Sequence, residues 1–215
     1  MKAIDYRDMR LADLKKAGRY SYLKLLLFWP VFGILFSLAE RVWTNRTYVF
    51  IHCMLDDLIP FNEWFLFAYL FWFVYMVGML AYGLLYDPDT FRRYMRFIIL
   101  TFSVSMLVYF VYPSAQDLRP QQFLRENLLT RFMAGFYRFD TNTNVMPSLH
   151  VVGSMAVLFA AWNSKLFGKI RWRILFLILT VLICLSTVFL KQHSVIDVAA
   201  ALFLSFVFYP VAFRR

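Results

Sequence analysis

Three short stretches of the 215-residue chain hold most of the residue types that acid–base or nucleophilic chemistry needs. They are Tyr112-Pro113-Ser114-Ala115-Gln116-Asp117-Leu118-Arg119-Pro120, then Pro147-Ser148-Leu149-His150, then the run from Ser186 to Asp197. In the third stretch His193 and Asp197 stand four apart at the start of an expected helix, a spacing that puts both on one face. A carboxylate there can accept from one imidazole nitrogen, fix the tautomer and leave the other nitrogen as a nucleophile. A pair that merely satisfies itself at a helix end would have the same spacing, so the pair alone leaves both readings open.

His150 follows Pro147-Ser148, where Ser148 is expected to cap a helix. The free N–H groups and positive dipole end of that helix would suit an anion. A histidine just inside could pass a proton to a leaving oxygen, although a capped helix with an interfacial histidine is the plainer alternative. Arg119 and Lys191 could each hold phosphate oxygens, one by a planar fork and one as a point charge, yet a lone loop arginine is more often solvated.

Together the pieces suit phosphoryl transfer through a phosphohistidine, with fixed cations neutralising charge on the equatorial oxygens. No cofactor is called for. Zinc on His150, His193 and Asp197 is conceivable, but the cationic neighbours disfavour a divalent ion.

Such a site has to be carried by helices in lipid. Hydrophobic residues make up 61% of the chain and aromatics 20%, with 25 Phe. That is far above the roughly 45–50% apolar content of a soluble domain. The expected fold is all-α, a polytopic membrane helix bundle of about six spans over 22–40, 62–84, 94–112, 148–163, 172–190 and 194–212, since a crossing needs about 20 apolar residues. The fourth is short and carries Ser148, His150 and Ser154, so hydropathy ranks it last. Segments 41–61, 85–93, 113–147, 164–171 and 191–193 are read as connections, with Asp87-Pro88-Asp89 a turn signal. A basic N-terminal segment, 1–21, precedes a transmembrane domain, 22–215. Residues 3–20 read either as an amphipathic surface helix with Lys15, Lys16 and Arg19 near headgroups or as a solvated basic tail.

The net charge of +10 is assigned to loops and lipid headgroups rather than nucleic acid, because no base-reading motif accompanies it. Of the 23 Lys and Arg, sixteen fall on the side of the two termini and seven on the other. The expected location is therefore the cell membrane, multi-pass, with both termini cytoplasmic and the candidate site on the opposite face. Cys53 and Cys184 read as buried fillers, and no cleavable signal is expected.

The three stretches resemble the type-2 phosphatidic acid phosphatase superfamily, including its inositol-phosphotransfer-like branch, whose motifs are Lys-x6-Arg-Pro, Pro-Ser-Gly-His and Ser-Arg-x5-His-x3-Asp. Arg119-Pro120 matches the end of the first, Pro147-Ser148-Leu149-His150 the second except at Leu149, and Ser186, His193 and Asp197 the third. The resemblance covers roughly residues 60–210. It implies that His193 attacks phosphorus, Asp197 orients it, His150 protonates the leaving alkoxide and then activates water, and Arg119 and Ser148 bind phosphate oxygens. Tyr112 stands at the family's lysine, Leu149 at its glycine and Thr187 at its arginine. Lys191, one helical turn beyond Thr187, is expected to replace the missing cation.

The leading expectation is a metal-independent hydrolase of a lipid phosphate or pyrophosphate, with membrane lipids and the lipid phosphate substrate as partners. A transferase to an alcohol such as inositol uses the same residues. A transporter or non-catalytic scaffold is the third alternative; it is disfavoured because the ionisable groups sit at span ends rather than mid-bilayer.

Overall fold

The structure is a computed structural model describing residues 3–9, 11–14, 18, 20–42 and 46–214 (Leu11 and Ala12 by backbone only). Eight α-helices follow in order among these: α1 Phe28–Arg41, α2 Met54–Leu58, α3 Leu66–Tyr86, α4 Pro88–Val111, α5 Leu128–Phe139, α6 Leu149–Trp162, α7 Ile170–Phe189 and α8 Val195–Phe213. A 3-10 turn over Ser21–Leu27 runs into α1, and another, Glu63–Phe65, runs into α3. Five of these segments are long and apolar enough to cross a membrane: Ser21–Arg41, Glu63–Tyr86, Pro88–Val111, Ile170–Phe189 and Val195–Phe213. The chain is a helical membrane bundle, as its composition requires.

The fourth expected span, 148–163, is α6 and has 14 residues. At about 1.5 Å per residue it falls well short of a roughly 30 Å hydrocarbon core. Every residue from Val151 to Ala161 is nonetheless buried, because α6 is the hub that packs on α3, α4, α7 and α8. Its neighbours are protein rather than lipid, and within it the Ser154 hydroxyl donates to the His150 carbonyl at 2.7 Å. Gly153 lets α3 approach closely, since a Cβ there would stand 2.9 Å from Met76 Sδ and 3.0 Å from the Trp72 indole.

Two connections differ from expectation. Segment 85–93 shrinks to Asp87 alone, whose carboxylate caps α4 by accepting from Thr90 N, with Pro88 at the first helical position. Arg92, Arg93 and Arg96 lower the hydropathy of that turn without unwinding it. The long segment 113–147 contains α5, whose capping box joins Asn127 and Thr130.

Residues 3–9 form neither a surface helix nor a solvated tail. Ile4 N donates to Leu85 O at 2.8 Å, Tyr20 Oη to Asp5 O at 2.9 Å, and the Tyr6 and Tyr22 hydroxyls meet at 2.8 Å. Buried tyrosine hydroxyls need partners and find them here. Lys15, Lys16 and Arg19 lie outside the described residues.

At the opposite end of the bundle the loops are stitched together. Strand β1, Val49–Phe50, pairs in parallel with β2, Ser114–Ala115, in the register Val49–Ser114 and Phe50–Ala115. Thr143 bridges to Ala115 on the other side. Gln116 N donates to Asn142 O at 3.0 Å, Asn142 Nδ2 to Gln116 O at 2.6 Å, and Met146 N to Ser114 Oγ at 3.0 Å. These bonds bring the Arg119 segment alongside the approach to Ser148 and His150.

Candidate functional site

The turn between α7 and α8 carries His193. Helix α7 ends at Phe189, and Gln192 N and His193 N both donate to Thr187 O, at 2.9 and 3.1 Å. Ser194 then caps α8, and the Asp197 carboxylate returns to Ser194 N at 2.9 Å in a capping box. The same Asp197 Oδ2 lies 3.2 Å from His193 Nδ1, so the expected His–Asp pair is formed. Asp197 is fully buried, and the His193 side chain is 11% exposed. Asp197 Oδ1 has no partner.

His150 sits one residue inside α6. Its ring lies against Tyr69 at 4.2 Å and Trp72 at 4.4 Å between centroids, and 6.1 Å from the His193 ring. Both aromatics come from α3, which Gly153 admits close to α6. Ser148 occupies the N-cap position, as expected, but its hydroxyl makes no capping bond and is buried without a partner. Its N–H donates to Asp197 O at 3.3 Å, joining the starts of α6 and α8. His150 Nε2 and Trp72 Nε1 are likewise shielded and unpaired.

Arg119 does not present the open fork that its sequence position suggests. Nη1 donates to Tyr137 O and Asp140 O at 2.8 and 2.9 Å, and Nη2 to Thr141 O at 2.9 Å and Gln192 Oε1 at 2.6 Å. The guanidinium closes the C-terminus of α5, where exposed carbonyls attract a cation, and it stacks 4.6 Å from the Tyr137 ring. Only Nε remains unpaired. Burial pulls the Arg119 pKa down, opposed by Asp140. Burial likewise pushes the Asp140 carboxyl above the ordinary range, opposed by Arg119.

Lys191 departs furthest from expectation. The helix has already ended, and Lys191 adopts a left-handed φ of 52°, so it does not share a helix face with Thr187. Its Nζ donates to Asp56 O at 2.6 Å. The side chain lines a cavity of about 740 Å3 with His52, Asp56, Asp57, Phe61 and Asp117, a cavity that neither His150 nor His193 lines. Burial lowers its pKa, opposed by Asp56 and Asp57. Of the family-motif substitutes, Tyr112 ends α4 half in solvent, and Thr187 is buried with its hydroxyl on Cys184 O at 2.8 Å.

Four residues outside the expected set hold the site together. Gln192 bridges Arg119 and Asp140, with Nε2 donating to Asp140 Oδ2 at 3.1 Å. Asp140 also accepts from Tyr69 Oη at 3.3 Å, next to His150. Glu40, in the last turn of α1, accepts from Asn144 Nδ2 at 2.6 Å, three residues before Pro147. Asp56 is 2% exposed and accepts from Ser194 Oγ at 2.6 Å and Val195 N at 2.8 Å. It thereby crowns the start of α8, although its sequence reads as solvated loop. Burial opposes its ionisation, but the bonds from Ser194, Val195 and Cys53 outweigh this and leave its pKa below the ordinary range. Among the described residues no group of three His, Cys, Asp or Glu is placed to hold a metal ion.

Two imidazoles, a buried carboxylate and several unpaired polar atoms thus meet where the stretches containing Arg119, Ser148 and His193 converge. A family model described as the PAP2 superfamily matches residues 33–211, most of the chain and all three stretches. The chain belongs to the PAP2 superfamily. Comparison with curated proteins and with solved structures finds no match. Membership in the PAP2 superfamily supports a phosphatase-like function on a lipid phosphate in a membrane, and the match reaches from α1 to α8, the two helices that carry Glu40 and Asp197.

Proposed function

We propose that the protein is a metal-independent phosphohydrolase of a lipid phosphate or pyrophosphate, working through a phosphohistidine on His193 at the non-cytoplasmic face. The observation that carries this reading is the set of shielded, unpaired polar atoms around the two imidazoles: Ser148 Oγ, His150 Nε2, Asp197 Oδ1 and Arg119 Nε. Buried polar groups ordinarily have partners, and a phosphoryl group offers oxygens to the donors among them.

With Nδ1 bonded to Asp197, His193 keeps the Nε2 lone pair for attack on phosphorus. The P–N bond forms as the P–O bond to the lipid alcohol breaks, and His150 gives its proton to the departing oxygen. Water then attacks the phosphohistidine, His150 takes the proton, and the P–N bond breaks to release phosphate. Asp197 stabilises the imidazolium character that grows on His193. Arg119 Nε and Ser148 Oγ bind phosphoryl oxygens.

A lipid-tailed substrate is supported by an apolar groove of about 470 Å3 between α6, α7 and α8 that starts at Val188 and Val195, on either side of the turn that carries His193. The excess of Lys and Arg on the side of the termini supports placing those termini in the cytoplasm.

Phosphate release from a panel of lipid phosphates tests the reading, using purified full-length protein in nanodiscs with a chelator, against His193→Ala. Chelator-resistant release by the native chain and none by the variant is expected. Release that survives His193→Ala overturns the phosphohistidine. No release from any lipid, with headgroup transfer to added inositol instead, replaces hydrolysis by transfer.

A further inference from the structure

Helix α5 has two unlike faces. Its inner face packs Met133, Leu129, Phe136 and Tyr137 on Leu66, Tyr69 and Leu190, and Tyr137 Oη donates to Leu190 O at 2.6 Å. Its outer face repeats at helical spacing: Leu128, Arg131, Phe132, Arg138 and Phe139 are all exposed, Leu128 at 83% and Phe139 at 71%. Just before it, Leu124 is fully exposed beside exposed Arg125. Large apolar side chains alternating with guanidinium groups do not suit water alone, nor hydrocarbon alone.

The position of α5 decides what covers that face. The inner face rests on the beginning of α3 and on Leu190, just past the end of α7, both ends of membrane-spanning helices. The helix therefore lies at the level where hydrocarbon gives way to headgroups. Among the described residues none of Arg125, Arg131 and Arg138 is within ion-pair distance of a carboxylate. Glu126 is the single acidic residue from 121 to 139. Phe139 does meet Arg41, at 5.5 Å, which adds a fourth cation at the helix end.

We propose that the outer face of α5 is seated on anionic lipid headgroups of the surrounding leaflet, with Leu124, Leu128 and Phe132 entering the acyl boundary and Arg125, Arg131 and Arg138 holding lipid phosphates. This surface is separate from the site at His193 and is occupied by bulk lipid rather than substrate. Because the inner face of α5 touches Tyr69 and its C-terminal carbonyls are held by Arg119, the lipid seat also fixes the roof of the site.

The test needs no turnover, so it stands or falls apart from the hydrolase reading. A bimane label on Phe132→Cys, in full-length protein carrying Cys53→Ser and Cys184→Ala, is placed in nanodiscs. Brominated phosphatidylglycerol and brominated phosphatidylcholine are compared at equal mole fraction. Quenching by the anionic lipid is expected to be about fivefold the stronger, the enrichment that one basic residue near the surface supports. Arg125→Gln/Arg131→Gln/Arg138→Gln should equalise the two lipids while the thermal transition stays put, and the Leu128→Cys label should behave like the one at 132. A label that neither lipid quenches, or that both quench equally in the native background, overturns the proposal.

Discussion

The two halves of the candidate site differ in how their polar atoms are satisfied. Around Arg119, Gln192 and Asp140 almost every donor and acceptor is used: four of five guanidinium N–H bonds end on protein oxygens, and Gln192 uses both ends of its amide. Around His150, Ser148 and Asp197 the opposite holds, and buried atoms stand without partners. A saturated network holds shape, because losing one member strands the others. An unsaturated one leaves valence for a ligand at a standing cost in stability.

The sharpest break in this comparison is expected at the pair that does the chemistry. His193→Ala should lower turnover by about a thousandfold or more. Asp197→Asn should lower it by about a hundredfold, since the tautomer and the imidazolium lose their support. Single-turnover phosphate release measures both.

A matched pair of variants separates the halves. Ser148→Ala removes an oxygen that has no partner, so thermal stability should hold or rise while kcat/KM falls about tenfold. Gln192→Leu strands Arg119 Nη2 and Asp140 and should cost about 1–3 kcal/mol of stability. Thermal melts in detergent read both, and a stability loss in Ser148→Ala with none in Gln192→Leu would reverse the assignment of roles.

The saturated category extends to Asp56, and here pH supplies the test. Its folded pKa lies below the ordinary carboxylate value, so its stabilisation is complete above the unfolded pKa and is lost as pH falls through the folded one. Between neutral and strongly acid pH the native chain should lose more stability than Asp56→Asn, in which that position no longer titrates. The smallest effect is expected at Lys191. Lys191→Ala should change kcat/KM by less than about threefold, because Nζ is committed to Asp56 O and faces the outer cavity. A larger loss would return Lys191 to the phosphate.

The sequence made the His193–Asp197 pair readable because both residues lie within one helical turn, where spacing alone sets geometry. Most ends of the spans were readable for a similar local reason, down to the tight link over 191–193, but the start of α4 was not, because Arg92, Arg93 and Arg96 lie within the helix. The same local logic misplaced Lys191, which lies beyond the end of α7, and could not foresee that oxygens of Tyr137, Asp140, Thr141 and Gln192 take every Arg119 N–H but that of Nε. Asp56, Glu40 and Asp140 carried no local signal at all. Their partners are Ser194, Asn144 and Gln192, distant in the chain and brought near only by the stitched loops.

Helix α6 marks the boundary most clearly. Composition and hydropathy determined that the chain is a membrane helix bundle and that His150 opens one of its helices, because apolar surface must be hidden from water wherever it falls. That the shortest of these segments is the hub, that Tyr69 and Trp72 bracket His150, and which buried atoms remain unpaired were decided by the packing of α3, α4, α7 and α8 around it. Burial and partnership belong to pairs of segments, and no single segment of sequence contains them.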